Sequence, residues 1–131
     1  MKQLSILLFS LLLFSCHQES FDEACRREAI EHTKKYCPQK VSEGVTLDSV
    51  TYNIPTRTKT EYYSLSGKLD TTIVAQNTDK FRTALLNTLI TSVELRKAKE
   101  EGVSFAYSYR SSRTKQEYIH INFTKKDYGH H

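Results

Sequence analysis

The chain has no tryptophan and only 4 glycines and 2 prolines among its 131 residues. The lack of tryptophan argues against a dedicated carbohydrate platform, because sugars commonly stack on large aromatic faces in such sites. The scarcity of glycine and proline, with no low-complexity stretch, argues against long disordered segments. We therefore expect a folded domain with at most a short flexible lead-in.

The chain also has no block of basic residues. Its 19 lysines and arginines outnumber 15 acidic residues and give a net charge of +4, spread along the sequence. Nucleic-acid tails usually concentrate such charge in runs. We therefore expect no nucleic-acid partner.

Motifs that carry catalysis are missing as well. The sequence has no glycine-rich phosphate loop and no serine in a nucleophile elbow. Its histidines are scattered and show no metal-ligand spacing; they are His17, His32, His120, His130 and His131. The sequence thus predicts no catalytic residue, no metal, no cofactor and no enzymatic activity.

The N-terminus carries the one long apolar run. Lys2 precedes residues 4–14, a run of about 11 residues that fits a secretory signal and is too short to span a bilayer. No second apolar segment approaches membrane length. The pattern predicts a signal peptide over residues 1–15, leaving about 116 residues, which is the size of one domain.

The run ends in Leu13-Phe14-Ser15-Cys16, which resembles a bacterial lipobox. With the short domain that follows, the chain is similar to small uncharacterised lipoproteins of Bacteroides-type bacteria. The resemblance implies that Cys16 is acylated, that residues 16–21 form a lipidated tether, and that the chain is held in the cell envelope. His17 stands where an aspartate would retain such a protein in the inner membrane, which favours the outer membrane. Plain secretion and an uncleaved anchor are the alternatives.

Two helices are predicted in residues 22–124, which we expect to form a single α+β domain. Ser20 and Glu23 form a capping-box signal for a helix over Phe21–Tyr36. A second helix opens at Asn77 or Thr78 and runs towards Gly102. It bears the broadest apolar face of the domain, which predicts the centre of the core; this face contains Phe81, Leu85, Leu89 and Val93.

Alternating polar and apolar residues predict four strands in two hairpins. The strands lie at 47–54, 59–66, 103–109 and 115–124, with 39–46 as a connection, 71–75 as a short strand extension and 125–131 as a polar tail. Each hairpin follows a helix, which suggests a helix–hairpin duplication. We expect two helices on one face of an antiparallel sheet of about four strands.

Two cysteines remain besides Cys16. Cys25 and Cys37 lie twelve residues apart around one predicted helix, so their Cα atoms would be roughly 18 Å apart. A disulfide needs less than about 7 Å. Free thiols are favoured, and an internal bond with a broken helix or an intermolecular bond remain as alternatives.

Candidate binding residues come from the hairpins. Tyr62 and Tyr118 are predicted on the strand faces away from the core, near His120, while Arg57 and Arg113 lie near the hairpin tips. Tyrosines among basic residues are common at binding surfaces, although simple cross-strand pairing explains them too. We expect a non-catalytic module that binds an envelope protein, with no pocket that gathers titratable groups. The alternative is a small-molecule or glycan binding module on the tyrosine-rich face.

Overall fold

The computed structural model describes residues 18–129, and it confirms an α+β fold. Four α-helices and five strands follow one another, with two short 3₁₀ turns at Gly67–Leu69 and Thr72–Asn77. In chain order the elements are α1 (Phe21–Tyr36), β1 (Gln39–Ser42), β2 (Val45–Asn53), β3 (Thr58–Leu65), α2 (Thr78–Thr91), α3 (Arg96–Glu100), β4 (Ser104–Ser111), β5 (Glu117–Phe123) and α4 (Lys125–Tyr128).

The five strands form one sheet in the order β1-β2-β3-β4-β5, in which β3 and β4 are parallel and all other neighbours are antiparallel. The prediction of a fully antiparallel sheet of about four strands is therefore wrong in its detail. The extra strand, β1, lies in the segment predicted as a connection and turns back at Gly44, whose φ is +76°. β3 and β4 are parallel because α2 and α3 carry the chain from the end of β3 back to the level at which β3 begins, and β4 starts there.

This topology opposes the predicted helix–hairpin duplication. The strand pair β2–β3 and the strand pair β4–β5 keep the same left-to-right order but run in opposite directions. A copy of the first strand pair could reach this arrangement only by a half-turn about the axis that runs across the strands, and such a turn also exchanges the two faces of the sheet. It would place the second helix on the opposite face, whereas both long helices pack on the same face. The likeness of the two hairpin sequences therefore reflects shared strand and turn chemistry.

The core lies between that helix-covered face and the helices. Leu89 of α2 is 1% exposed and contributes to a cluster with the inward side chains of β2, β4 and β5. Phe81 meets the ring of Tyr109 edge-on at 5.3 Å between ring centroids. The prediction that Leu89 lies in the core is confirmed. Val93 is 80% exposed, because the helix ends at Thr91 and the chain leaves helical geometry at Ser92.

Three other segments differ from the sequence-based expectation. The single second helix is split into α2 and α3, and the predicted strand extension at 71–75 is a 3₁₀ turn. The predicted polar tail contains α4, whose Tyr128 is 5% exposed and donates a hydrogen bond to the carbonyl oxygen of Val103 at 2.7 Å. A four-residue helix is too short to produce a periodic apolar pattern, so the closing element of the core escaped prediction.

Helix α1 also protects an edge of the sheet. Strand β2 extends past the end of β1, which leaves part of its outer edge without a strand neighbour. At Val50 the side chain of Thr33 supplies the missing partners: its hydroxyl accepts from the backbone N–H and donates to the carbonyl oxygen, both at 2.9 Å. One hydroxyl thus satisfies two backbone groups that a neighbouring strand would otherwise bind.

The two cysteines of the domain are free thiols. Cys25 lies on α1 and Cys37 directly follows it, and both are half-buried. Burial raises the pKa of each thiol, with the nearby carboxylate of Glu28 adding to the effect at Cys25. Both thiols therefore stay protonated near neutral pH and are poor nucleophiles.

The contrast between Leu89 and Val93 tests this core. Leu89→Asp places an unpaired charge in a fully buried site, so we expect it to cost several kcal/mol and to abolish the cooperative thermal transition. Val93→Asp, in the exposed loop, should change the free energy of unfolding by less than about 0.5 kcal/mol. Thermal melts followed by circular dichroism measure both; equal melting of the two variants would contradict the placement of the core.

Candidate functional site

The sheet face opposite the helices, here called the open face, carries a straight row of four side chains. Ser49, Tyr62, Ser108 and His120 are direct neighbours across β2, β3, β4 and β5. The flanking positions Thr51 and Asn122 on the same face are exposed, as is His120, and no helix among residues 18–129 packs over them. Two of the predicted binding residues, Tyr62 and His120, therefore share one surface.

Glu117 links the β5 end of this row. Ser108, only 4% exposed, donates a hydrogen bond to its carboxylate, and Nδ1 of His120 lies 3.3 Å from the same oxygen. The serine hydroxyl is thus committed to a carboxylate and is not held by the imidazole. The serine–histidine contact that activates many nucleophilic serines is therefore not formed in this trio.

A second polar row lies beside the first. Ser64 donates to Asp48 at 3.0 Å, and a terminal nitrogen of Arg110 lies 3.4 Å from the other oxygen of that carboxylate. The Nε of Arg110 is buried and has no hydrogen-bond partner among the described residues. The open face therefore presents hydroxyl, carboxylate, imidazole and guanidinium groups around the ring of Tyr62.

Tyr118 does not join this surface, although sequence alternation predicts that it should. A register shift between Tyr109 and Arg110 leaves Tyr118 opposite no residue of β4. Its hydroxyl donates to Asp70 at 2.8 Å, and the Arg113 guanidinium lies 3.9 Å from the same carboxylate. Hydrogen bonds from Ser111 and Tyr118 lower the pKa of Asp70. Tyr118 and Arg113 thus belong to a cluster that ties the β4–β5 turn to the chain after β3.

Arg57 has a structural role at the other end of the sheet. Its Nε and the hydroxyl of Tyr52 both donate to Oδ1 of Asp22, at 3.0 and 2.6 Å, and a terminal nitrogen of Arg57 donates to the carbonyl oxygen of Glu101 at 2.8 Å. These bonds from Tyr52 and Arg57 lower the pKa of Asp22, while burial and then Asp22 raise the pKa of Tyr52 to about 12. The cluster fastens the start of α1 to the β2–β3 turn. The predicted set is therefore split between three places.

On the helix-covered side, a groove of about 560 Å³ lies between α1 and α3. Its lining gathers titratable side chains from separate elements, which corrects the expectation that no pocket does so. Besides Tyr52, whose hydroxyl binds Asp22, these are Cys25, Glu28, His32, Lys59, Glu61, Glu94 and Lys97. Sequence reasoning missed this site because it placed the candidate binding residues on the strand faces away from the core, whereas Lys59 and Glu61 lie on the helix-covered face of β3. No hydrogen bond joins these seven side chains to one another among residues 18–129.

The described residues contain no group of three or more histidine, cysteine, aspartate or glutamate side chains placed to hold a metal ion. Within that same part of the chain, no helix has both the length and the apolar character needed to cross a bilayer. Cys16 and His17, on which the anchoring prediction depends, lie outside the described residues.

The Asp22 cluster predicts a dependence of stability on pH. Because the folded state lowers the pKa of Asp22, its stabilising contribution is full above the unfolded pKa of about 4 and disappears as the pH falls through the folded value. Asp22→Asn should therefore be less stable than the wild type at pH 7 and lose less stability between pH 5 and pH 2. Urea midpoints measured across this range provide the test.

Glu43→Gln is the matched control, since Glu43 is 95% exposed and pairs only with exposed Lys40. It should follow the wild-type profile. If Asp22→Asn instead runs parallel to the wild type at all pH values, Asp22 does not carry this linkage.

Comparisons with known proteins agree with this picture of the fold. No curated protein matches the chain in sequence. A crystal structure of a "putative secreted protein" from Pseudomonas aeruginosa matches with a TM-score of 0.66 and 16% identity, over 84% of this chain and 98% of that one. At this identity the likeness shows a shared fold.

A family described as a domain of unknown function, DUF8479, matches residues 20–119. The match runs from the N-cap of α1 into β5 and so includes the helix layer, β1 to β4 and the start of the last strand. The chain therefore belongs to the DUF8479 family.

Proposed function

We propose that this chain is a lipid-anchored, non-catalytic binding protein of the bacterial cell envelope and that its open face contacts a protein partner. The observation that carries the proposal is the one-sided helix layer. Both long helices pack on one side of the sheet, which leaves Tyr62 and His120 of the row accessible on the other.

The chemistry of this face suits a protein partner. Tyr62 is half-buried, and a tyrosine offers a rigid ring together with a polar tip, which is why tyrosine is enriched at interfaces. His120 is 53% exposed and Arg110 40% exposed in their side chains, so polar and charged groups surround the ring. An aromatic centre with a polar rim is the usual composition of a non-obligate interface.

The glycan or small-molecule alternative is weaker on this face. It relied on Tyr62, Tyr118 and His120 acting together, and Tyr118 instead binds Asp70. One ring remains on the row, whereas sugar binding commonly uses several stacking surfaces. The proposal for the open face therefore favours a protein.

The absence of catalysis is also part of the proposal. Ser108 is nearly inaccessible and is hydrogen-bonded to Glu117. The pKa of Cys25 is raised by burial, which keeps the thiol protonated. Neither side chain has the activated state that nucleophilic catalysis requires.

Anchoring through Cys16 rests on the resemblance of Leu13-Phe14-Ser15-Cys16 to a lipobox. The structural neighbour carries the name of a secreted protein, which supports export of the fold. An acylated Cys16 would be joined to α1 by residues 16–20, whose extended length is no more than about 18 Å. Three acyl chains would hold the domain stably, since each buried methylene contributes about 0.8 kcal/mol. His17 supports placement in the outer membrane.

Metabolic labelling tests the anchor. Cells fed an alkyne analogue of palmitate should label the wild-type protein and Cys25→Ser equally, because Cys25 lies inside the folded domain. Cys16→Ser should remain unlabelled, since it lacks the thiol that accepts the acyl chain. In-gel fluorescence measures the label; a labelled Cys16→Ser protein would contradict the anchor.

Photo-crosslinking in living cells tests the open face. A benzophenone amino acid placed at Tyr62 or His120 should give an adduct of one common mass, because both positions would touch the same partner. The same probe at Lys80 or Thr83, exposed on α2, should give none. Immunoblots report the adducts; adducts from α2 alone, or none at any of the four positions, would refute binding through the open face.

A further inference from the structure

The central strand of the sheet is incompletely covered on its helix side. β3 lies between β2 and β4, yet Lys59, Glu61 and Tyr63 on its helix side are only half-buried. Their direct neighbours on β4, which are Phe105, Tyr107 and Tyr109, are buried. Helix α1 packs mainly against β2, while α2 contacts β5 and the 3₁₀ turn before it. The helix layer thus parts above β3, and this gap is the groove of about 560 Å³.

Part of the groove wall is apolar. Phe21, Ala24 and Ala29 line it from α1, and Leu95 and Ala98 line it from the α2–α3 connection and α3. A volume of this size lies within the range of about 300–1,000 Å³ that is typical of small-molecule sites. An apolar body of a few side chains would fill it.

The floor carries one charge of each sign. Lys59 and Glu61 both line the groove, two residues apart on β3, so their Cα atoms are separated by roughly 7 Å. Among residues 18–129, neither side chain takes part in an ion pair. The carboxylate of Glu61 has one long contact, a hydrogen bond from the Tyr63 hydroxyl at 3.4 Å. Half-buried charges beside apolar side chains lose part of their hydration. A ligand that formed an ion pair with each of them would offset the free energy lost with that hydration.

We propose that this groove binds a small zwitterion with an apolar body, of the dipeptide class. Its carboxylate pairs with the ammonium of Lys59, its ammonium pairs with the carboxylate of Glu61, and its side chains rest on the apolar walls. A fatty acid would cover the carboxylate of Glu61 without pairing it, and a simple cation would cover the ammonium of Lys59 without pairing it. Covering an unpaired charge costs free energy in each case. The site lies on the opposite side of the sheet from the open face and does not depend on the proposed function.

Calorimetric titration of the full chain in detergent micelles tests the site, with leucyl-phenylalanine as the probe. The wild type should bind it saturably with one site per chain. The N-acetylated dipeptide, which lacks the ammonium, and the C-amidated dipeptide, which lacks the carboxylate, should each bind about tenfold more weakly, because each loses one charged hydrogen-bonded pair.

Two variants assign the charges. Lys59→Met should weaken binding of the dipeptide about tenfold and leave binding of the amidated form unchanged. Glu61→Gln should also weaken binding of the dipeptide about tenfold, but it should leave binding of the acetylated form unchanged. Lys80→Met, on the exposed surface of α2, is the control and should bind like the wild type. No saturable binding at 10 mM dipeptide, or equal weakening of all three ligands by each variant, would overturn the proposal.

A measurement on the wild type tests the site even if the variants fail to fold. In amide NMR spectra, leucyl-phenylalanine should shift the resonances of Val50, Leu95 and Ala98, which line the groove, and leave His120 and Asn122 on the open face unmoved. Shifts confined to the open face would place the ligand elsewhere and refute the groove.

Discussion

The parallel pairing of β3 with β4 is the constraint from which the rest of the architecture follows. Antiparallel strands can be joined by a tight turn, but a parallel pair requires the chain to travel back along the sheet. The 3₁₀ turns, α2 and α3 make that journey between Leu65 and Ser104. They settle beside α1 because the large apolar side chains of β4 and β5 face that way.

Two unlike surfaces result from this one-sided arrangement. The covered side contains the stacked rings of Tyr63 and Tyr109, 4.8 Å apart, and burial followed by the charge of Glu61 raises the pKa of Tyr109 to about 12. The open side carries polar and charged side chains around the ring of Tyr62, and no helix among residues 18–129 covers them. A single central strand therefore presents Tyr62 to solvent on one side and Lys59 and Glu61 to a groove on the other.

Sequence patterns predicted the local elements better than their assembly. The capping pair Ser20 and Glu23 predicted the start of α1 to the residue, and alternation located the hairpins. Alternation has the same period in parallel and antiparallel strands, so it could not reveal how β3 meets β4. β1 stayed hidden because all four of its residues are exposed and no alternation marks it.

The site residues follow the same division between local and long-range information. Alternation placed Tyr62 and His120 away from the core, as the pairing shows. It failed at Tyr118, because a register shift is set by the neighbouring strand and leaves no mark in the strand itself. Arg57 was placed at a turn, but its partner Asp22 lies 35 residues earlier, beyond the reach of any spacing rule.

The hydroxyl of Thr33 matters most when many copies of the domain share a surface. Molecules tethered to a bilayer, as proposed here, diffuse in two dimensions and collide sideways far more often than free molecules at the same number per cell. A bare stretch of β2 would offer each neighbour a template for strand addition. By occupying both backbone groups of Val50, Thr33 removes such a template from this stretch of β2.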